Sequence, residues 1–262
     1  VSVTVVERPL LEVRDVDKTY RAGGVERHAL RGVSFELQAG RTLAVVGESG
    51  AGKSTLTRLI AGLERPSAGQ VLVGGEPPAP RRGRPSPVQM VFQHPGEALS
   101  PYHSIGWSIA EGMHEVPRRE RTKRIRELLA AVNLGELDLR RRPQSFSGGQ
   151  LQRIVIARAL AASPQVLLCD EPTSALDVSV QAQIVNLLLR LRAELGFACV
   201  LVTHDLAVAR VLADEVLVLK DGAAVERGAA NAFFAGPSDP YAISLLATAL
   251  GETLHRGQGV TR

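Results

Sequence analysis

The chain has 262 residues, 45% of them hydrophobic and 22% charged, with a formal net charge of +4. That length and balance fit a globular chain able to bury a sizeable core. The two cysteines, Cys169 and Cys199, each sit inside a short apolar run, which excludes a disulfide framework and reads as two small buried hydrophobes in a reducing compartment. No run reaches the ~18 apolar residues of a spanning helix. The N-terminal stretch VSVTVVERP lacks the basic flank and apolar centre of a signal peptide. Arginine concentrates in PRRGR (Pro80 to Arg84) and RRERTKRIR (Arg118 to Arg126). These read as a solvated loop and a solvated helix face, with attraction to an anionic membrane surface as the sharper alternative. Few aromatics accompany them, so single-strand nucleic-acid binding is the weaker option.

In chain order, residues 10–20 (LLEVRDVDKTY) alternate apolar and polar positions like a half-buried strand. VSFELQAG gives a second strand and a Gly turn. Leu43 to Val46 is a short buried strand that runs into a glycine loop and then a helix, STLTRLIAGL. Residues 66–92 are rich in Pro and Gly, with short strands in QVLVGG and VQMVF. From about Pro95 to Ser163 the pattern turns helical. Ile125, Leu128, Leu129 and Val132 there mark one helix face at i, i+3, i+4 and i+7. Strands return at Val166–Cys169 and Ala198–Val202, with the helical SVQAQIVNLLLRLRAEL between them. Strand, helix, strand with fully apolar runs predicts a parallel sheet covered on both faces. EVLVLKDGAAVERG is a strand, Asp-Gly turn, strand hairpin. The tail from Asn231 reads as helical pieces broken at AGPSDPY.

Three stretches carry chemistry. GESGAGKST, Gly47 to Thr55, fits G-x-x-x-x-G-K-[ST] and has the strand before it and the helix after it that the pattern needs. Glycines allow a tight loop whose N–H groups point at phosphate oxygens, and the helix N-terminus adds partial positive charge. Lys53 can reach the β- and γ-phosphates, and the Ser54 hydroxyl can ligate Mg²⁺. VLLCDEP places Asp170 and Glu171 at the carboxyl end of a buried strand, where ligands of parallel sheets bind. Asp170 suits Mg²⁺ held through water, and Glu171 suits polarising an attacking water. VLVTHDL repeats the geometry and brings His204 to the same sheet edge, within reach of a γ-phosphate.

A fourth stretch, SFSGGQLQR, has no acid, histidine or cysteine. Ser147 is a good helix N-cap and Gln150 lies three residues on, as in a capping box. Gly148 and Gly149 are expected to leave the first-turn N–H groups uncovered, which makes an anion site. Taken without the rest of the chain, it reads first as a plain capped helix.

Taken in order, these residues resemble the nucleotide-binding subunits of ATP-binding cassette (ABC) transporters, over roughly residues 10–250. By that resemblance, Gly47, Glu48, Ser49, Gly50, Ala51, Gly52, Lys53, Ser54 and Thr55 form the Walker A loop, and Gln93 is the Q-loop contact to Mg²⁺ and water. Ser147, Gly148, Gly149 and Gln150 form the signature, Asp170 and Glu171 are Walker B and the catalytic glutamate, and Asp177 ends the D-loop. His204 is the switch histidine, and Tyr20 stands where the family stacks an aromatic on adenine. TSALDVSVQAQIVNLL and the tail GPSDPYAISLLATAL are similar to the dipeptide, oligopeptide and nickel importer subfamily. His94, the stretch GEALSPYHSIG and the short segment before Gln89 depart from its usual pattern. Both cysteines precede the tail, so the four-cysteine cluster of some members is not implied.

The resemblance implies an α/β fold: a P-loop NTPase core with a parallel sheet, an N-terminal antiparallel β subdomain and an inserted helical subdomain. Residues 1–262 would be one ABC ATPase domain. About 1–93 and 164–228 would form the RecA-like core with the β subdomain, about 94–163 the helical subdomain and about 229–262 a C-terminal extension. It implies ATP and Mg²⁺ as ligands, with Ser54, Gln93 and Asp170 around the metal and Glu171, His204 and Gln93 as the catalytic set. The partners implied are a second cassette, identical or paralogous, transmembrane permease subunits and, through them, an extracytoplasmic substrate-binding protein. The place implied is the cytoplasmic face of the inner (plasma) membrane, as a peripheral subunit, with no nucleic acid. The alternatives are a non-transport cassette acting on nucleic acid or ribosomes, and a scaffold with a degenerate site. About ninety residues separate Lys53 from Ser147, too few for a chromosome-type coiled-coil insert, and intact Lys53, Asp170, Glu171 and His204 argue against the scaffold.

Overall fold

A computed structural model describes residues 8–78 and 85–257, and the basic run Pro80 to Arg84 lies outside the described residues. The chain opens with β1 (Leu11–Ala22), β2 (Val25–Leu37) and β3 (Thr42–Val46), followed by α1 (Lys53–Ile60). Next come β4 (Ala68–Val73), β5 (Val88–Val91) and three helices, α2 (Ile105–Ala110), α3 (Arg118–Ala131) and α4 (Gly148–Ala161). The second half runs β6 (Val166–Asp170), α5 (Val178–Leu195), β7 (Ala198–Val202) and α6 (Leu206–Leu212). It closes with β8 (Glu215–Lys220), β9 (Ala223–Ala229), α7 (Ala230–Ala235) and α8 (Pro240–Gly257).

Two sheets result. The larger has the order β5-β6-β7-β3-β8-β9; its first five members pair in parallel and β9 closes the edge antiparallel to β8. The smaller is antiparallel, with the order β2-β1-β4. The central strands are apolar throughout because both of their faces are buried. Successive residues of β3 point to opposite sides: Leu43 and Val45 join Leu11, Val13 and Phe35 in the core between the sheets. Ala44 and Val46 join Ile154, Ile184 and Leu188 in the core under the helices. Cys169 and Cys199 fall on that second side, both buried and unoxidised. A hydrogen bond with Cys199, together with burial, pushes the Cys169 thiol well up, which keeps it protonated and inert.

Helix ends follow local chemistry. Asp177 caps α5 by accepting the Val180 N–H at 2.9 Å, and Gly196 closes it at φ 73°. Asp205 caps α6 through the N–H groups of Ala207 and Val208. Ile125, Leu128, Leu129 and Val132 are all buried, as their spacing predicts. The basic stretch Arg118 to Arg126 lies on α3 as a largely solvent-facing surface, with ion pairs Arg119–Glu120 and Arg124–Glu127. Among the described residues, no helix is long and apolar enough to cross a membrane.

Two expectations change. The helical pattern read from Pro95 begins only at α2, because Pro95, Gly96 and Pro101 keep 93–104 irregular until Ser104 caps the helix. And β2 extends back to Val25, across a Gly23-Gly24 turn with φ 57° and 80°.

Candidate functional site

The phosphate loop hangs between β3, wholly buried, and α1. Its shape needs glycine at two points. Gly47 has φ 150°, and a Cβ there would lie 2.3 Å from the Leu219 carbonyl oxygen. Gly52, the N-cap of α1, has φ 106°, and its Cβ would lie 2.6 Å from the Ala29 carbonyl oxygen. The β8–β9 turn braces the loop from beneath: Asp221 and Gly222 both take positive φ, and the Gly222 N–H donates to the Ala51 carbonyl at 3.0 Å. Lys53 folds back over the loop and donates to the Gly47 and Glu48 carbonyls at 2.6 and 2.9 Å. Burial holds its pKa below the ordinary lysine value, against the carboxylates of Glu171, Asp170 and Glu48, which pull it up.

Asp170 ends β6 and Glu171 follows it. Burial, reinforced by the Glu171 carboxylate, raises the Asp170 pKa, while Lys53 and Arg58 oppose the shift. Glu171 sits at φ 48°, a left-handed conformation unusual for a residue with a Cβ. Its N–H donates to the Val202 carbonyl at 2.8 Å, which ties the end of β6 to the end of β7. From β7, the His204 imidazole reaches across, with Nδ1 2.8 Å from Glu171 Oε1.

Lys53, Ser54, Thr55, Asp170, Glu171 and His204 thus line one cavity of about 740 Å³, together with Gly47, Glu48, Ser49, Gly50, Gly52 and Tyr20. The Tyr20 hydroxyl donates to Glu64 at 2.8 Å, and the Lys18 ammonium lies 5.1 Å from its ring centroid. Ser54 and Asp170 offer hard oxygen donors to the same cavity, a set that suits Mg²⁺ when phosphates and water supply the remaining ligands. Among the described residues no cluster of three or more His, Cys, Asp or Glu could hold a metal by itself.

Gln93 is exposed in the turn after β5 and does not line this cavity. Nor do Ala51, which is buried beneath the loop, or Ser147, Gly148, Gly149, Gln150 and Asp177. These last five gather elsewhere. The Ser147 hydroxyl accepts the Gln150 N–H at 3.4 Å and the Gln150 side-chain oxygen accepts the Ser147 N–H at 3.0 Å, so the capping box is closed. A Cβ on Gly149 would meet Val180 Cγ1 at 2.6 Å, whereas one on Gly148 would meet only Leu176 Cδ2, at 3.6 Å. The glycine pair therefore has two duties: Gly149 lets α4 pack on the first turn of α5, and Gly148 leaves its face open. The Ser147 turn and the Asp177 turn meet where α4 packs on α5, and neither lines the cavity.

Sequence reasoning missed part of the cavity. Arg27, His28 and Arg31 of β2 give it a basic rim, beside Tyr20 through the Tyr20–Arg27 pairing. Their signal was a polar, exposed half-strand without alternation. Leu245, Thr248 and Ala249 of α8 form another wall, and nothing local in the tail announces that.

A family model described as ABC transporter matches residues 30–174. The chain is 43% identical over 251 residues to the di/tripeptide transport ATP-binding protein DppF of Pseudomonas aeruginosa (strain UCBPP-PA14), covering 90% of this chain and 78% of that one. It is 38% identical over 247 residues to the oligopeptide transport ATP-binding protein OppF of Streptococcus pyogenes serotype M1, covering 90% and 80%. Among solved structures, cbiO1 from Clostridium perfringens, part of the ABC transporter complex cbiONQ, aligns with a TM-score of 0.77 at 29% identity, covering 96% of this chain and 100% of that one. The ATP-binding cassette MJ0796, as a dimer in a post-hydrolysis state bound to ADP and Pi, aligns at 0.72 and 32% identity, covering 84% and 98%.

Proposed function

The chain belongs to the ABC transporter family, and from that premise we propose that it is the ATP-hydrolysing subunit of a peptide importer, working peripherally on a separate transmembrane permease at the cytoplasmic face of the membrane. One observation carries the ATPase half: Lys53, Asp170, Glu171 and His204 converge on a single cavity at the carboxyl edge of a parallel sheet. The peptide half is supported by the similarity to proteins named for di/tripeptide and oligopeptide transport, which favours peptide over nickel-type cargo.

The chemistry follows from position. Loop N–H groups and the N-terminus of α1 receive the phosphates, and Lys53 moves from the loop carbonyls to the β- and γ-oxygens. Ser54 and Asp170, with Gln93, would hold Mg²⁺, which would supply neutralisation of phosphate charge. Glu171 orients the attacking water and His204 contacts the γ-phosphate, so catalysis is mostly positioning and charge neutralisation. Tyr20 stacks on the base with the ring face that Lys18 does not occupy.

The second anion site belongs to a neighbour's nucleotide. Ser147 and Gly148 face outward at a helix N-terminus, apart from their own chain's cavity, so a second cassette completes each site. The Ser147→Arg chain is expected to bind ATP normally when isolated and to lose ATP-driven pairing with the second cassette, as read by sedimentation. Loss of ATP binding by the isolated variant would contradict the intermolecular reading. The importer reading is tested by purifying the chain from membranes and identifying what travels with it. Permease subunits and a second cassette are the expected companions, and recovery with ribosomes or nucleic acid instead would overturn it.

A further inference from the structure

Helix α8 is built into the site. Tyr241, Leu245, Thr248 and Ala249 recur at i, i+4, i+7 and i+8, one helical face. The last three line the cavity. The Tyr241 hydroxyl accepts the Glu48 N–H, in the phosphate loop, at 3.0 Å.

The tyrosine is itself firmly held. Asp239 caps α8 by accepting the N–H groups of Tyr241 and Ala242 at 2.8 and 3.2 Å. Glu226 accepts those of Ser238 and Asp239, each at 2.9 Å. Ala242 is fully buried, and the Lys220 ammonium lies 4.8 Å from the centroid of the Tyr241 ring.

The loop peptide that Tyr241 grips is not so secure. Glu48, Ser49 and Gly50 are exposed, between glycines with φ 150° at Gly47 and 85° at Gly50. The Glu48 carbonyl accepts from Lys53 at 2.9 Å and from the Ala51 N–H at 3.2 Å. A lysine that grips phosphate must release the first of these bonds. The hydrogen bond on the other side of the residue, from its N–H to Tyr241, does not depend on Lys53 at all.

We propose that Tyr241 is a positioning residue of the nucleotide site: it holds the Glu48 peptide in place while Lys53 transfers from the loop carbonyls to the phosphates. The proposal rests on the ATP-binding reading above. It makes the C-terminal helix a working part of the phosphate loop.

Tyr241→Phe removes the acceptor oxygen and keeps the ring, its packing and the Lys220 contact. Titrating the full-length wild type and this variant with Mg-ATP in a calorimeter, beside a thermal melt of each, separates the roles. The expected result is an ATP dissociation constant raised about fivefold, the size of one neutral hydrogen bond, with an unchanged melting temperature. An unchanged dissociation constant, with or without a lower melting temperature, would overturn the positioning role and leave ATP binding standing. A wild type that binds no ATP would overturn both readings together. Amide hydrogen exchange on the wild type gives a check independent of any variant. The Glu48 N–H should stay protected with and without ATP, and deprotection on adding ATP would overturn the proposal.

Discussion

Glu171→Gln is expected to cut ATP turnover by about 10²- to 10⁴-fold, the span of a positioned general base, while ATP affinity stays near that of the wild type. Gln is close in shape to Glu and can still bond His204 Nδ1, now 2.8 Å from the carboxylate. What it lacks is the charge that polarises a water. The cradle, built from the Gly47–Gly52 backbone and Lys53, does not depend on that carboxylate for its shape. The chain passes the end of β6 at a φ of 48°, and the partly buried carboxylate lines the cavity there, where a reacting water can be placed. Turnover by the assembled transporter within a factor of about two of wild type would remove Glu171 from the catalytic role that the general-base magnitude requires.

Lys53→Ala should weaken ATP binding itself, by roughly 10- to 100-fold, the worth of a hydrogen bond to a charged group. The ammonium lies in a partly desolvated site facing Asp170 and Glu171, so its removal also leaves two carboxylates facing incoming phosphates with less counter-charge, Arg58 alone still opposing Asp170. The Gly47 and Glu48 carbonyls lose the bond from Lys53 as well, the Glu48 carbonyl keeping the Ala51 N–H. Calorimetry with Mg-ATP measures the effect, and an unchanged affinity would count against the phosphate-loop reading.

The contrast between these two residues and α8 shows what a sequence can display. Lys53, Ser54, Asp170 and Glu171 were legible because their chemistry depends on near neighbours: a strand, a glycine turn and a helix start, all within a dozen residues. His204 was legible for the same reason, from the strand that precedes it. Tyr241 was not, because it meets the loop across 193 residues and its own segment reads only as a helical piece of the tail. The first half of β2 was missed because Val25 to His28 are exposed and carry no alternation, so pairing with β1 rather than burial keeps them in the sheet. The pattern from about Pro95 reads as helical, yet Pro95, Gly96 and Pro101 keep the chain irregular up to Ser104. The glycine pair was half legible. Its capping box follows from S-x-x-Q spacing, but the need for Gly149 comes from Val180, on another helix, 2.6 Å from where a Cβ would stand.

The central claim joins hydrolysis at this cavity to movement of peptide through a partner. It is tested most directly by placing the chain with its co-purified membrane partners in sealed vesicles, then following phosphate release and uptake of a labelled dipeptide in the same sample. Uptake should require ATP, and both uptake and phosphate release should vanish together with Glu171→Gln. Steady hydrolysis without peptide movement, or uptake that survives Glu171→Gln, would contradict the account.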